Sequence, residues 1–214
     1  EASMTLRYAP GESFVNSKQR RVPVSLDAPV FTLTHAMGFK GVLGGEYNFN
    51  RTEASIWKRF WLPASWGKID CSVKAGAEWN TVPFPLLILP EANLSYITQR
   101  ETFCLINNME FLNDRFASMS ISYDMNGKLF NRIPLLKNLK WREMFRVRAL
   151  WGTLTDKNNP FKSSNPDLFR FPTRDGKFTS FVMDPKVPYV EASVGIYNIF
   201  KLLHVEYVHR FTYR

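Results

Sequence analysis

Lys68-Ile69-Asp70-Cys71-Ser72-Val73-Lys74-Ala75-Gly76-Ala77-Glu78-Trp79 decides the fold class. Ile69, Cys71, Val73, Ala75, Ala77 and Trp79 fall on one side of a period of two, and Lys68, Asp70, Ser72, Lys74, Gly76 and Glu78 on the other. Side chains alternate across an extended chain, so this segment is a strand with one apolar and one polar face. An ordinary globular strand has ~5–6 residues, whereas a tilted membrane-spanning strand needs ~9–11. This one belongs to the longer class.

The pattern recurs. Ala117, Met119, Ile121, Tyr123 and Met125 alternate with Ser118, Ser120, Ser122 and Asp124. Phe145, Val147, Ala149 and Trp151 alternate with Arg146 and Arg148; Val190, Ala192, Val194 and Ile196 alternate with Glu191, Ser193 and Gly195. The last strand sets Leu203, Val205, Tyr207, Phe211 and Tyr213 against His204, Glu206, Arg210 and Thr212. Weaker strands are expected over residues 4–9, 30–37, 46–60 and 103–111, with a short one at 178–183. The expectation is an all-β, antiparallel chain of nine or ten strands with little helix.

Two environments alternate in this way: a transmembrane β-barrel, and a soluble barrel or sandwich with its apolar face turned inward. Strand length and aromatic residues near the strand ends (Trp79, Tyr123, Trp151, Tyr213) favour the membrane, where such residues form interfacial girdles. The polar faces then line a hydrated lumen, with Lys74, Glu78, Asp124, Arg146, Arg148, Glu191, Glu206 and Arg210 as candidate lumen-facing residues. Tyr207, Phe211 and Tyr213 resemble the aromatic insertion signal that ends outer-membrane barrel proteins. Closure into a barrel would also hide an aromatic edge that otherwise invites aggregation.

Composition narrows the alternatives. The 214 residues include 18 Phe, 6 Trp and 8 Tyr, which excludes intrinsic disorder, a state poor in aromatic residues. No window approaches the ~18 consecutive apolar residues of a spanning helix; the best run, 82–90, carries Pro83, Pro85 and Pro90. Lys+Arg 28 less Asp+Glu 19 gives +9, but the basic residues are dispersed over alternating strands rather than gathered in the stripe that nucleic acid requires. Outer-membrane lipid and lipopolysaccharide phosphates are the better partners. Glu1 is not followed by a basic segment, an apolar stretch and a small-residue cleavage site. The expectation is that a leader has been removed or that the chain is a piece of something longer.

Four long connections are expected, at residues 10–28, 80–102, 126–142 and 153–187. The last is rich in Asn, Pro and Ser over 158–166 and reads as an exposed loop; a tight turn at 184–187 after a short strand shortens it. Within 131–142 one segment is helical in pattern: Pro134 suits a first turn, and Leu135, Leu136 and Leu139 share one side, with Lys137 and Lys140 elsewhere and Trp141 following. A basic amphipathic turn of this kind lies in a membrane interface or packs on a barrel rim.

Catalytic and metal-binding patterns are missing from the sequence. Gly38, Gly41, Gly44 and Gly45 lack the endings of a phosphate loop or dinucleotide fingerprint and read as a turn. His204 and His209 fall on opposite faces of one strand, and no serine sits in a G-x-S-x-G elbow. Cys71 and Cys104 sit in apolar alternation and are expected to be free thiols. Asn50-Arg51-Thr52 and Asn93-Leu94-Ser95 match a sequon that matters only in a eukaryotic secretory setting. Asp124, Glu191 and Glu206 have Arg146, Arg148 and Arg210 as candidate ion-pair partners. No enzyme activity, cofactor or metal is expected.

Several blocks carry a family resemblance. They are Val82-Pro83-Phe84-Pro85-Leu86-Leu87, Asn107-Asn108-Met109-Glu110-Phe111, Asp114-Arg115-Phe116-Ala117-Ser118, the run Asn131 to Glu143, Asp156-Lys157-Asn158-Asn159-Pro160, the run Pro188 to Ile196 and Asn198-Ile199-Phe200-Lys201. Together they resemble the C-terminal β-barrel segment of an uncharacterised Bacteroidetes-type outer-membrane family, of the domain-of-unknown-function kind, whose members carry an N-terminal carboxypeptidase-regulatory-like domain. The resemblance implies that residues 1–214 are the C-terminal part of an outer-membrane barrel domain. The rest of the same protein and the barrel-assembly machinery are the implied partners, and export, surface assembly or uptake the implied roles. A soluble β-barrel or sandwich binding a small apolar or anionic ligand is the alternative.

Overall fold

A computed structural model describes residues 1–42, 44–95, 97–99, 101–162, 168–171 and 173–214. Its strands are β1 (Ala2–Tyr8), β2 (Phe14–Asn16), β3 (Arg21–Pro23), β4 (Val30–Gly38), β5 (Phe49–Trp61), β6 (Lys68–Glu78), β7 (Arg115–Asp124), β8 (Arg142–Thr153), β9 (Thr173–Arg174), β10 (Lys177–Phe178), β11 (Tyr189–Ile199) and β12 (Leu203–Arg210). The helix α1 (Pro134–Leu139) lies between β7 and β8. Eight strands form one sheet in the order β1-β4-β5-β6-β7-β8-β11-β12, every neighbour antiparallel. The pairs β2–β3 and β9–β10 are small separate hairpins. Among the described residues the large sheet is open, with β1 and β12 as its edges.

Register lines up apolar residues in rows across the middle of the sheet, while His35, Thr52 and Arg115 share that face nearer the end that holds the termini. Tyr8, Phe31, Ile56, Val73, Met119, Ala149 and Val190 stand opposite one another in a single row across seven strands. A second row joins Phe60, Ile69, Tyr123, Phe145, Val194 and Tyr207. Because the side-chain period is two, a slip of one residue would carry polar-face residues into these rows, Arg146 and Arg148 on β8 among them. The apolar face is largely uncovered: Val73 is 45% exposed, Val147 43% and Tyr207 67%. Lys58 belongs to it by parity, but its stem runs to the sheet end, where Nζ donates to Asp27 O at 2.7 Å.

The packed core lies on the opposite, polar face. The connections 39–48, 79–114 and 154–188 leave the same end of the sheet as both termini; 9–29, 62–67, 125–141 and 200–202 leave the other. Phe103, Ile106, Phe111, Leu150, Met183 and Tyr189 form one buried cluster, and Val82, Leu87, Leu112, Leu154 and Phe171 a second. Both join the 79–114 and 154–188 connections, and Leu150 and Tyr189 tie the first of them to the polar face of the sheet.

Four expectations change. Residues 103–111 are not a strand: Met109 adopts φ 59°, Glu110 N bonds back to Asn107 O, and Phe103 and Phe111 make only single bridges, to Ala92 and Phe181. Residues 178–183 are not one either. The chain turns earlier at Asp175-Gly176, whose positive φ values of 52° and 75° make the tight β9–β10 turn. The other eight segments expected to be strands form the large sheet, while β2, β3, β9 and most of β10 lie in stretches expected to be loops. Met125 leaves the apolar row and is buried beyond the end of β7, just before Asn126 and Gly127 turn the chain.

The last strand stops at Arg210, so Tyr207, Phe211 and Tyr213 do not share a strand face. Tyr207 stays on the apolar face, while Tyr213 turns under the sheet at φ 54°, packs on Phe111 and donates its hydroxyl to Val187 O at 2.7 Å. The 184–187 turn is present, closed by Val187 N to Asp184 O. The helical expectation in 131–142 corresponds to a 3-10 turn, Phe130–Arg132, followed by α1 with Pro134 in its first turn. Residues 43 and 163–166, which belong to the expected glycine turn and exposed loop, lie outside the described residues.

Candidate functional site

β8 shows the inversion that defines the site. Arg146 and Arg148 are 5% and 1% exposed, while Val147 between them, Phe145 before them and Trp151 beyond them are 40–43% exposed. Charge is inside and hydrocarbon outside. Burying an ion stabilises nothing unless it is paired and hydrogen-bonded, and Arg146 and Arg148 each have a carboxylate partner.

Glu191 on β11 stands directly opposite Arg148 in register. Its Oε1 accepts from Arg148 Nη1 at 2.8 Å and from the Cys104 N–H at 2.9 Å; its Oε2 accepts from the Tyr189 hydroxyl at 2.8 Å and from the Leu105 N–H at 3.1 Å. Arg146 pairs with Glu206 of β12 at 3.1 Å, and the Ser193 hydroxyl bonds the same carboxylate. Arg59 and Asp70 form a two-point pair at 2.6 and 2.9 Å across β5–β6. Asp124 accepts from the Tyr197 hydroxyl at 2.6 Å and has Lys68 at 3.8 Å. Trp57, Lys68, Asp70, Ser72, Ser120 and Arg146 help to line a cavity of about 280 Å³ on this face.

The connection between β6 and β7 crosses these groups like a strap. Arg51 on β5 donates to Leu86 O, Lys74 on β6 binds Glu91 and Glu101 at 2.9 and 2.7 Å, and Arg148 donates to Gln99 O at 3.3 Å. Arg210 on β12 donates to Leu105 O at 3.1 Å and pairs with Glu110 at 2.6 Å. The 79–114 connection thus follows the polar face from β5 to β12. Its end is locked by Asp114, fully buried, whose carboxylate accepts from Thr155 N–H and hydroxyl and from Asn158 Nδ2.

All eight lumen-facing candidates therefore share one face. Arg148–Glu191 and Arg146–Glu206 pair among themselves; Lys74 and Arg210 instead bind the strap. Glu78 accepts from the backbone of Asn50 and Asn80, with Arg51 at 3.7 Å. Cys104 belongs to the strap rather than to a strand, and both cysteines are free thiols. Glu91, Glu101, Glu110 and Asp114 of the strap, and Tyr189 of β11, complete the network without having been named as site candidates; no period marks a strap. The acidic residues of 91–114 facing so many basic strand positions were the available signal.

Burial pushes the Cys104 thiol above its ordinary value, and the Arg148 cation only partly offsets this. Thiolate is the reactive form. Iodoacetamide at pH 8 is therefore expected to alkylate Cys104 more slowly in the folded protein than in denaturant, as read by peptide mass spectrometry over time.

One comparison bears on this arrangement. A family model described as the C-terminal domain of a family of unknown function, DUF5686, matches residues 1–161. The chain belongs to this family. The matched part of the DUF5686 domain spans β1 to β8, the whole strap and the Asp114 lock; β11 and β12, with Glu191, Glu206 and Arg210, lie beyond it. No curated protein and no solved structure matches the chain.

Proposed function

We propose that this DUF5686 domain is a non-enzymatic segment of a larger outer-membrane β-barrel, with its apolar rows in lipid and its polar face toward a lumen occupied by the 79–114 strap. The observation that carries the reading is the inversion on β8, where hydrocarbon is exposed and arginine buried, together with the exposed apolar residues in the rows beside it. A soluble barrel or sandwich would need the apolar face as its core, whereas the packed clusters lie on the other side. Open edges at β1 and β12 fit a segment that pairs with further strands of the same barrel, delivered to the membrane by the barrel-assembly machinery. The resemblance to barrels with a carboxypeptidase-regulatory-like domain makes export, surface assembly or uptake the accompanying role.

Cys71, in the apolar row beside Ile121, Val147 and Ala192, supplies the test. In the full protein carrying Cys104→Ser, fractionation is expected to recover the chain in the outer membrane. A lipid-soluble maleimide should label Cys71, and a sulfonated, membrane-impermeant one should not until detergent denatures the protein. Recovery in the soluble fraction, or equal labelling by both reagents in intact membranes, would overturn the reading.

A further inference from the structure

At the end of the sheet away from the termini, three connections join into one surface. Lys128 Nζ donates to Ala64 O at 2.7 Å and lies 5.1 Å over the Trp66 ring, tying the 125–141 connection to the 62–67 turn. Asn198 Nδ2 donates to Lys140 O at 2.7 Å, tying the same connection to the β11–β12 turn. Arg132, Lys137, Lys140 and Lys201 are all exposed on it. Among the described residues none of the four has a carboxylate within 4.0 Å. Of the carboxylates at the adjoining strand ends, Asp124 is engaged by Tyr197 and Lys68, and Glu143 is buried, with Oε1 accepting from the Leu129 N–H.

Hydrocarbon is interleaved with these cations. Leu135 is 82% exposed, Leu202 88% and Phe200 75%. An aqueous surface gains nothing from such residues, while a basic segment with apolar anchors suits the boundary where acyl chains meet charged headgroups. The surface stands at one end of the rows assigned to lipid, where headgroups begin.

We infer that this surface is a binding collar for the phosphate groups of a phosphorylated membrane lipid, with Arg132, Lys137, Lys140 and Lys201 contacting phosphate and Leu135, Phe200 and Leu202 entering the acyl layer. The inference rests on the membrane reading above and adds to it a ligand class and four named cations.

Native mass spectrometry of the full protein in neutral detergent tests it with bisphosphorylated lipid A, the same lipid stripped of phosphate, and phosphatidylcholine. Retention is expected for bisphosphorylated lipid A alone, because the choline cation of phosphatidylcholine offsets its phosphate, and it should weaken as salt rises. The R132Q/K137Q/K140Q/K201Q variant should bind it on the order of a hundredfold less tightly. Removing four charges at the opposite end (K162Q/R174Q/K177Q/K186Q) should change nothing. Displacement by millimolar inorganic phosphate would mark a free-phosphate site and overturn the proposal, as would equal retention by wild type and the collar variant. If Cys71 is in lipid and the collar variant still binds normally, the collar alone fails. If Cys71 is not in lipid, the membrane reading fails and the collar with it.

Discussion

Replacing Glu191 with leucine is expected to cost about 3–5 kcal/mol of folding stability, the range for removing one member of a buried ion pair. Glu191 and Arg148 are each 1% exposed in their side chains. The substitution would leave the guanidinium without its counter-charge and, at the same stroke, strip the acceptor from two strap N–H groups and the Tyr189 hydroxyl. Denaturant unfolding of the full protein in detergent measures the loss. Limited proteolysis should show cleavage near Gln99–Leu105 in the variant and none in the wild type, because the strap loses its central attachment. The double variant R148M/E191L should recover much of the stability, since replacing both partners removes the stranded charge. It should not recover protease resistance, because the strap N–H groups stay unanswered. A loss below about 1 kcal/mol in E191L, the worth of an exposed pair, would mean that the pair is open to water.

The same pair shows how far the sequence could be read. Period two located all eight strands of the sheet and put Arg148 and Glu191 on one face. Alternation is a property of each strand alone and survives whatever the neighbours do. Register then made them partners, which alternation cannot announce. Arg210 illustrates the limit: its expected partners were strand carboxylates, yet it pairs with Glu110, a hundred residues away in a segment without a period. Residues 103–111 misled for a related reason. Phe103, Ile106 and Phe111 are apolar because they pack beneath the sheet, not because they alternate within it, and a short apolar run cannot distinguish the two cases. The Asp175-Gly176 turn was legible in principle, since that dipeptide supplies the two positive φ values of a tight hairpin. Its immediate neighbours, Arg174 and Lys177, are polar, and strands of two residues are too short to show a period. The aromatic ending failed at Tyr213, where a core contact with Phe111 outweighs the continuation of the strand.

Val73→Arg separates the membrane reading from its alternative by magnitude. Val73 lies at the middle of β6 in the seven-strand apolar row and is 45% exposed. On a protein surface in water, an arginine at so open a position would change stability by about 0.5 kcal/mol or less. Facing the middle of a bilayer, it is expected to cost about 2–4 kcal/mol, because the charge must be dragged toward a headgroup or hydrated by a defect. Refolding the full protein into phosphatidylcholine vesicles and titrating with guanidinium chloride reads the difference directly. Lys58 supplies an internal control. It shares the apolar face but already reaches the sheet end, so Lys58→Met should alter stability much less than V73R. A further arginine at Ser120, on the polar face in register with Ser72 and Arg148, should avoid the lipid penalty and act through the strap network instead. If V73R proves neutral in vesicles while S120R is costly, the exposed hydrocarbon faces something other than lipid. The inversion on β8 would then need a protein partner to cover it.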